Sequence, residues 1–298
     1  MGDTMTYFEE KCLSYYSEEE LKKIIAGMKK RFTTLRINPL KDNGKSLEEI
    51  NNLGFKVLKS DIYDNAYVLL NGNEADLENL SCYKNGQIYL QSLSSMMPPL
   101  KMDLVPGHAI LDMAAAPGGK TTQMAALSMN KTSITACELN KIRTQRLKFN
   151  VDLQGASSVL VMNIDARHLD EFFMFDEILL DAPCSGSGIR EFKEDGLKGL
   201  TKELVEKSVK SQESLLKEAF KHLKKNGTMV YSTCSIFKCE NEEVVLKALK
   251  GKKYEIIPIS FDDKNLVLLP SDITGALTIM PNEYFEGFFM IKIKKISD

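Results

Sequence analysis

Two cysteines stand where this chain could do chemistry. Cys184 lies in Asp181-Ala182-Pro183-Cys184-Ser185-Gly186, and Cys234 lies in Ser232-Thr233-Cys234-Ser235. Each follows an apolar, strand-like run and falls in a polar turn. A single cysteine beside a strand is usually core filling. Two of them, just past strand ends on the same expected face, lie where ligands bind in an open α/β sheet. A third stretch, Asp112 to Thr122, joins them there. In it Ala114, Ala115, Ala116, Pro117, Gly118 and Gly119 lead into Lys120. Residues this small let a ligand lie against the backbone, and the amides opening the next helix would face it.

Three ligands compete for that turn. A phosphate loop needs a glycine where Ala114 stands and would not hold Pro117, so Gly119-Lys120-Thr121 is a weak match. The dinucleotide pattern GxGxxG is absent. S-adenosyl-L-methionine fits better. Glu138 ends a second strand about 25 residues on, where a carboxylate can accept both ribose hydroxyls. Asp165 follows the third strand and could bond the adenine amino group. With no phosphate to neutralise, the turn need not be strongly basic.

A methyl donor beside a thiol suggests a pyrimidine. Carbon 5 of the ring is a poor nucleophile until a thiolate adds at carbon 6. It can then take a methyl group, after which a base removes the carbon-5 proton and the thiol leaves. The thiolate requirement predicts an environment that lowers a cysteine pKa. Asp181 and Lys120 are candidates for proton handling or for orienting the base. Spacing alone leaves both Cys184 and Cys234 open as the nucleophile.

The elements around these residues follow from the pattern. Strand-like runs Ala109–Met113, Ser133–Cys137, Val159–Met162, Glu177–Leu180 and Thr228–Ser232 alternate with helical runs Gly119–Leu127, Lys141–Leu153, Thr201–Leu223 and Glu240–Lys250. Strands at Tyr254–Pro258 and Gly287–Lys294 close the chain. Such alternation predicts a mostly parallel sheet with helices on both faces. Upstream lies a smaller α+β unit. A helix over 17–30 opens on a Ser17/Glu20 capping box, a strand over Lys29–Pro39 follows, and a second capping box, Ser46/Glu49, opens a helix to Leu53. Short strands are expected at Phe55–Leu58, Tyr67–Leu70 and Gln87–Leu90. Pro98, Pro99 and Pro106-Gly107 punctuate the connection, which puts the boundary near residue 90: a unit over 1–90 and another over 91–298.

Composition sets limits. A net charge of -2 excludes a generally basic nucleic-acid coat, so RNA contacts must be local. No apolar run approaches a membrane span, and Met1 to Lys11 lacks a signal-peptide core. The six cysteines include no CxxC pair, which argues against zinc and for a reducing cytoplasm.

Taken together, the motifs resemble the RNA cytosine-C5 methyltransferases of the NOL1/NOP2/Sun family. The matching segments run from Arg31 to Lys294. They include Leu35-Arg36-Ile37-Asn38, Gln91 to Met96, Ala114 to Lys120, Asp181 to Gly186, Gln212 to Leu216, Ser232 to Ser235 with Glu240-Asn241-Glu242, and Gly287-Phe288-Phe289. The resemblance implies a Rossmann-like class I methyltransferase domain, with a mostly parallel seven-stranded sheet, behind a small α+β RNA-recognition-like domain. It implies Cys234 as nucleophile and Cys184 in product release. Ala114 to Lys120, Glu138, Asp165 and Asp181 would hold the cofactor, with Arg143 as a structural or cofactor-proximal arginine. Lys120 and Asp181 would also line the cytosine site. The expected partner is an rRNA or tRNA, touched by Lys29, Lys30, Arg31, Arg36, Arg190, Lys193 and Lys198, with no further RNA-binding module after the closing strand. Ser92 and Glu286 stand where the family commonly has Asp, and Ile189-Arg190-Glu191 lacks a second arginine often found there.

Overall fold

The computed structural model describes residues 5–193 and 196–297, so the first four residues of the polar N-terminus lie outside it. Two sheets organise the chain. The smaller has four antiparallel strands in the order β2-β3-β1-β4: β1 (Thr34–Ile37), β2 (Val57–Lys59), β3 (Ala66–Leu69) and β4 (Ile88–Leu90). The larger is built on five parallel strands: β5 (Ala109–Asp112), β6 (Ser133–Cys137), β7 (Val159–Met162), β8 (Phe175–Asp181) and β9 (Leu223–Thr233). β10 (Lys253–Ile257) and β13 (Phe288–Ser297) make it up to the seven strands expected. The short strands β11 (Leu268–Leu269) and β12 (Leu277–Ile279), which the sequence did not signal, extend it to nine in the order β11-β12-β13-β9-β8-β5-β6-β7, with β10 pairing β13.

Alternation along the parallel strands gives the larger sheet two cores. Ile110, Ile134, Ala136 and Leu179 face one way and pack with Met124, Leu147 and Val151. These come from the helices Gly119–Leu127 and Lys141–Leu153. Leu111, Cys137, Ile178 and Leu180 face the other way, against Leu215, Leu216, Ala219 and Phe220 of the helix Lys202–His222. With both faces covered, ligands bind at the carboxyl edge of such a sheet, and the glycine turn and both cysteines follow strands at that edge.

The N-terminal elements depart from expectation in instructive ways. Ser17 does cap the helix Glu18–Gly27 through a capping box with Glu20, worth about 1 kcal/mol. Ser46 caps nothing. It is the first helical residue of Ser46–Asn52, and its hydroxyl donates to Asp42 at 2.5 Å. Glu49 instead accepts from Ser81 and from the Cys82 amide. An unexpected helix, Tyr7–Leu13, precedes Ser17. It and its successor bury Phe8, Cys12, Ile24 and Met28 against Leu197, Val205, Ile236 and Phe237, away from the small sheet's core.

The strand expected over Lys29–Pro39 shrinks to β1, which is buried on both faces. Leu35 and Ile37 enter the small core with Ile50, Leu69 and Leu77. Thr34 and Arg36 point the opposite way, Thr34 to Gln91 O and Arg36 to Gln91 Oε1, Gly119 O and Thr122 Oγ1. The helix expected over Glu240–Lys250 is broken at Asn241, into a single turn at Lys238–Glu240 and a helix at Glu242–Ala248.

Candidate active site

The stretch after β5 forms a tight turn. Gly118 caps the following helix with φ 109, a conformation open to glycine and strained for any side chain. Asp112 at the strand end is buried and accepts from Thr121 Oγ1 at 2.7 Å. Burial pushes its carboxyl up to about 6, against the lowering effect of that hydrogen bond. From outside, Arg143 Nη2 donates to Ala116 O at 2.7 Å and Asn150 Nδ2 to Pro117 O at 2.8 Å. Arg143 Nη1 also lies 3.4 Å from Glu138 Oε2, so this arginine ties the turn to the end of β6. Asp165, just past β7, is nearly buried and accepts Arg167 Nε through both oxygens, and that side chain holds its carboxyl below the usual range.

A cavity of about 600 Å³ opens beside the turn, and Ala114 to Pro117, Gly119, Lys120, Asp181 and Cys234 line it. Lys120 Nζ donates to Asp181 Oδ2 and to Ser95 Oγ, both at 2.7 Å, and sits 5.5 Å from the Phe288 ring centroid. Asp181 Oδ1 accepts from Ser232 Oγ at 2.7 Å. The lysine is therefore oriented between two strand ends with its charge matched. Cys184 lies behind Cys234, with the two Sγ atoms 2.7 Å apart. The Cys184 thiol is pushed well above its usual range, first by its hydrogen bond with Cys234, then by burial. The lowered cysteine pKa expected from the chemistry is thus not found at Cys184.

The two cysteine loops meet closely. The Gly188 amide donates to Cys234 O at 3.0 Å, and a Cβ on Gly188 would come within 2.0 Å of Gly287 O. Only glycine fits between the loop and the start of β13. Several residues that position the site went unassigned in the sequence: Ser95, Asp112 and the buried Glu240, which bonds both cysteine loops. Ser95 and Glu240 fell inside recognised segments, but nothing in a polar side chain's type announces its partner.

One expected RNA contact is corrected, Arg36, and a second, Arg190, is partly engaged in its own loop. Arg36 is 1% exposed. It donates to Gln91 Oε1, Gly119 O and Thr122 Oγ1, and its guanidinium lies 4.8 Å from the Tyr89 ring centroid. Arg190 donates to Ser185 O and Lys198 O, bracing its own loop. Lys29, Lys30 and Arg31 do line the cavity. Lys193 is exposed and lies 3.5 Å from Glu191. The two departures at Ser92 and Glu286 prove to be partners: Ser92 Oγ donates to Glu286 Oε2 at 2.6 Å. Among the described residues no cluster suits a metal ion, and no helix is long and apolar enough to cross a membrane.

Comparison with known proteins supplies a family. Residues 99–294 match the family model described as 16S rRNA methyltransferase RsmB/F. Ribosomal RNA small subunit methyltransferase F of Shewanella piezotolerans is 35% identical over 278 residues, which cover 89% of this chain and 58% of that protein. A probable ribosomal RNA small subunit methyltransferase B of Bacillus subtilis is 34% identical over 270 residues, 88% of this chain and 59% of that protein. The chain thus spans under two thirds of the length of these relatives. Among solved structures, a methyltransferase homolog protein from Pyrococcus horikoshii superposes with a TM-score of 0.78 at 29% identity, covering 98% of this chain and 100% of that one. NSun6 from Pyrococcus horikoshii, crystallised with SFG, shares the fold at a TM-score of 0.83 and 23% identity, with 99% of each chain covered. The chain belongs to the RsmB/F family of S-adenosylmethionine-dependent methyltransferases.

Proposed function

We propose that the protein transfers a methyl group to carbon 5 of a cytosine in RNA, through a covalent bond between Cys234 and carbon 6. The observation that carries this reading is the position of Cys234. It lines the same cavity as the Lys120–Asp181 pair and touches a second cysteine whose thiol is held well above its usual range.

The donor set suits S-adenosyl-L-methionine. Ala114 to Pro117 and Gly119 leave room against the backbone, and Glu138 and Asp165 stand at the next two strand ends. Lys120 is matched by Asp181, so it is not a free cation awaiting a phosphate. When bound, the cofactor supplies the methyl group. The chain's own residues do the rest. Cys184, whose own thiol is held well above its usual range, lies against Cys234. Cys234 adds to carbon 6, which makes carbon 5 nucleophilic. Lys120 and Asp181 orient the ring by hydrogen bonds. After methylation the carbon-5 proton passes to a base in the cavity, assigned to Asp181. Its bond pair restores the ring double bond, and the carbon-6–sulfur bond breaks. Cys184 stabilises the departing sulfur by donating its hydrogen. In this reading residues 1–90 capture the RNA and residues 91–298 perform the transfer. The cytosine must leave its stack to reach the thiol, which favours a loop or bulge. The names of the relatives point to ribosomal RNA of the small subunit.

The test compares Cys234→Ala with Cys184→Ala. Cys234→Ala should lose methylation by about a thousandfold or more and form no covalent RNA complex. Cys184→Ala should accumulate that complex, seen as an RNA-shifted band that survives denaturation. The reverse pattern would exchange the two roles. Bisulfite sequencing of RNA from cells with and without the gene maps the cytosine.

A further inference from the structure

Glu240 is a carboxylate in the dry interior. Its relative exposure is 0%, and no lysine, arginine or histidine forms an ion pair with it among the described residues. Such a group is costly to bury unless donors satisfy it. Here they come from three directions. The Ser185 amide donates to Oε1 at 2.7 Å, and the Ser185 hydroxyl donates to Oε2. Ser235 Oγ donates to Oε2 at 2.6 Å. Gln212 Nε2, on the helix Lys202–His222, reaches Oε1 at 3.3 Å and also bonds Pro183 O at 2.9 Å. Ser185 is the residue after Cys184, and Ser235 is the residue after Cys234. One carboxylate therefore bridges the residues that follow each thiol. A second layer reinforces it. Ser187 Oγ lies 2.8 Å from Ser235 Oγ and accepts from the Ile236 amide, while Tyr231 Oη donates to Glu240 O at 2.8 Å.

The break in the helix at Asn241 follows the same logic. Continuing the helix through Glu240 would swing this side chain onto a helical surface. The single turn at Lys238–Glu240 instead aims it at the two loops. Asn241 completes the arrangement from the other side, accepting from Thr233 Oγ1 and donating to Ser235 O. The Cys234 loop thus has further anchors: Asn241, and the Gly188 amide on Cys234 O. The Cys184 loop has anchors of its own, Arg190 on Ser185 O and Gln212 on Pro183 O, and Glu240 bonds both loops at once through Ser185 and Ser235.

We propose that Glu240 is a positioning residue that fixes the two cysteine loops against each other and so sets Cys184 where it can discharge the adduct on Cys234. This rests on the covalent reading above and adds a division of labour to it. Capture of the base depends on Cys234, which retains other anchors. Release depends on the register between the two thiols, which Glu240 sets. Negative charge at Glu240 also adds to the effects that keep Cys184 protonated, after the Cys234 contact and burial.

The experiment uses the full chain, S-adenosylmethionine and two transcripts of small-subunit ribosomal RNA, one ordinary and one carrying 5-fluorocytidine. A base cannot remove fluorine from carbon 5 as it removes a proton, so the second transcript records capture whether or not release works. Glu240→Ala should capture fluorinated RNA within about threefold of the wild-type rate. On ordinary RNA its kcat should fall at least about tenfold with covalent complex building up, and the KM for RNA should fall with it, so that kcat/KM stays within about threefold. Glu240→Gln, which keeps an acceptor for the Ser185 amide, should recover most of the lost rate. Ser185→Ala removes one donor without disturbing the carboxylate, so it decides the matter if Glu240→Ala does not fold. It should also accumulate complex. Unchanged kcat in folded Glu240→Ala or Ser185→Ala overturns the proposal. So does a parallel loss of capture and release that Glu240→Gln does not relieve. Failure of the wild type to capture fluorinated RNA would instead remove the covalent reading itself.

Discussion

The turn after β5 and the cysteine loops after β8 and β9 share one edge of one sheet, yet they are held in opposite ways. The turn presents backbone and small side chains to the cavity, so it cannot brace itself. Its carbonyls are gripped from outside by Arg143, Asn150 and Arg36. The cysteine loops present two thiols, and their bracing lies underneath, in the serine and Glu240 network. Each region also contains a buried carboxylate. Asp112 has one side-chain donor, Thr121, and its proton affinity is raised by burial. Glu240 has donors from three side chains and an amide. A surface that binds can be shaped by long residues reaching in from neighbouring elements. Groups that react in sequence need their spacing fixed locally.

Lys120 joins the two regions, since it leaves the turn and ends on Asp181 beside the cysteine loops. Its replacement gives the largest effect expected. Lys120→Met keeps much of the stem's packing against Phe288 but leaves Asp181 without its cation. Turnover should fall by about a hundredfold to ten-thousandfold, the usual range for losing a positioned proton-handling or charge-stabilising group. Affinity for S-adenosylmethionine, read by calorimetry, should change far less. Equal losses in binding and turnover would place Lys120 in the turn alone and dissolve the idea of a shared residue.

The second effect separates the two carboxylates. Asp112 has its folded-state carboxyl pushed up to about 6 from a reference of 3.8. A raised carboxyl holds its proton longer in the fold than in the unfolded chain. Stability from this group is therefore lost as pH rises from about 4 to about 6, and above that the cost is roughly 3 kcal/mol. Asp112→Asn keeps an acceptor for Thr121 and removes the titration. Urea unfolding at about pH 4 and pH 8 should show the variant gaining about 3 kcal/mol on the wild type between the two. A gap that does not move with pH would mean that Asp112 is not the strained carboxylate of the pair.

Much of the larger sheet was legible because the signals were local. Strand ends marked by Asp112, Glu138 and Asp181 lie where the alternation put them, and Ser17 caps its helix as its spacing with Glu20 implied. The failures concern partners that only the folded loops present. Ser46 and Glu49 have the spacing of a capping box, but Asp42 and Ser81 offer better bonds. Arg190 reads as a free cation until its loop folds back and presents Ser185 O and Lys198 O. Glu240 reads as a helix-start acid, and only the meeting of two loops turns it inward. The helix Tyr7–Leu13 is short and buries few side chains, so its pattern is too brief to stand out.

Arg36 gives the smallest effect and the sharpest reversal of expectation. In the sequence it belongs to a basic run, Lys29 to Arg36, that reads as an RNA face. Period-two alternation puts Leu35 and Ile37 into the small core, so Arg36 must point to the other side of β1, where the glycine turn covers it. Burial lowers its guanidinium to about 10, and its bonds go to Gln91, Gly119 and Thr122. Arg36→Met would fill similar space and avoid a buried charge, but it strands Gln91 Oε1 and loosens the opening of the helix. The expected cost is about 1–3 kcal/mol of stability, with weaker S-adenosylmethionine binding. RNA affinity should keep its salt dependence, because no phosphate contact is lost. Lys30→Ala, at the cavity rim, should do the reverse: it should flatten the salt dependence of RNA binding and leave stability unchanged. If Arg36→Met flattened the salt dependence instead, the arginine would be reaching the RNA after all, and the turn would have lost one of the residues that grip it from outside.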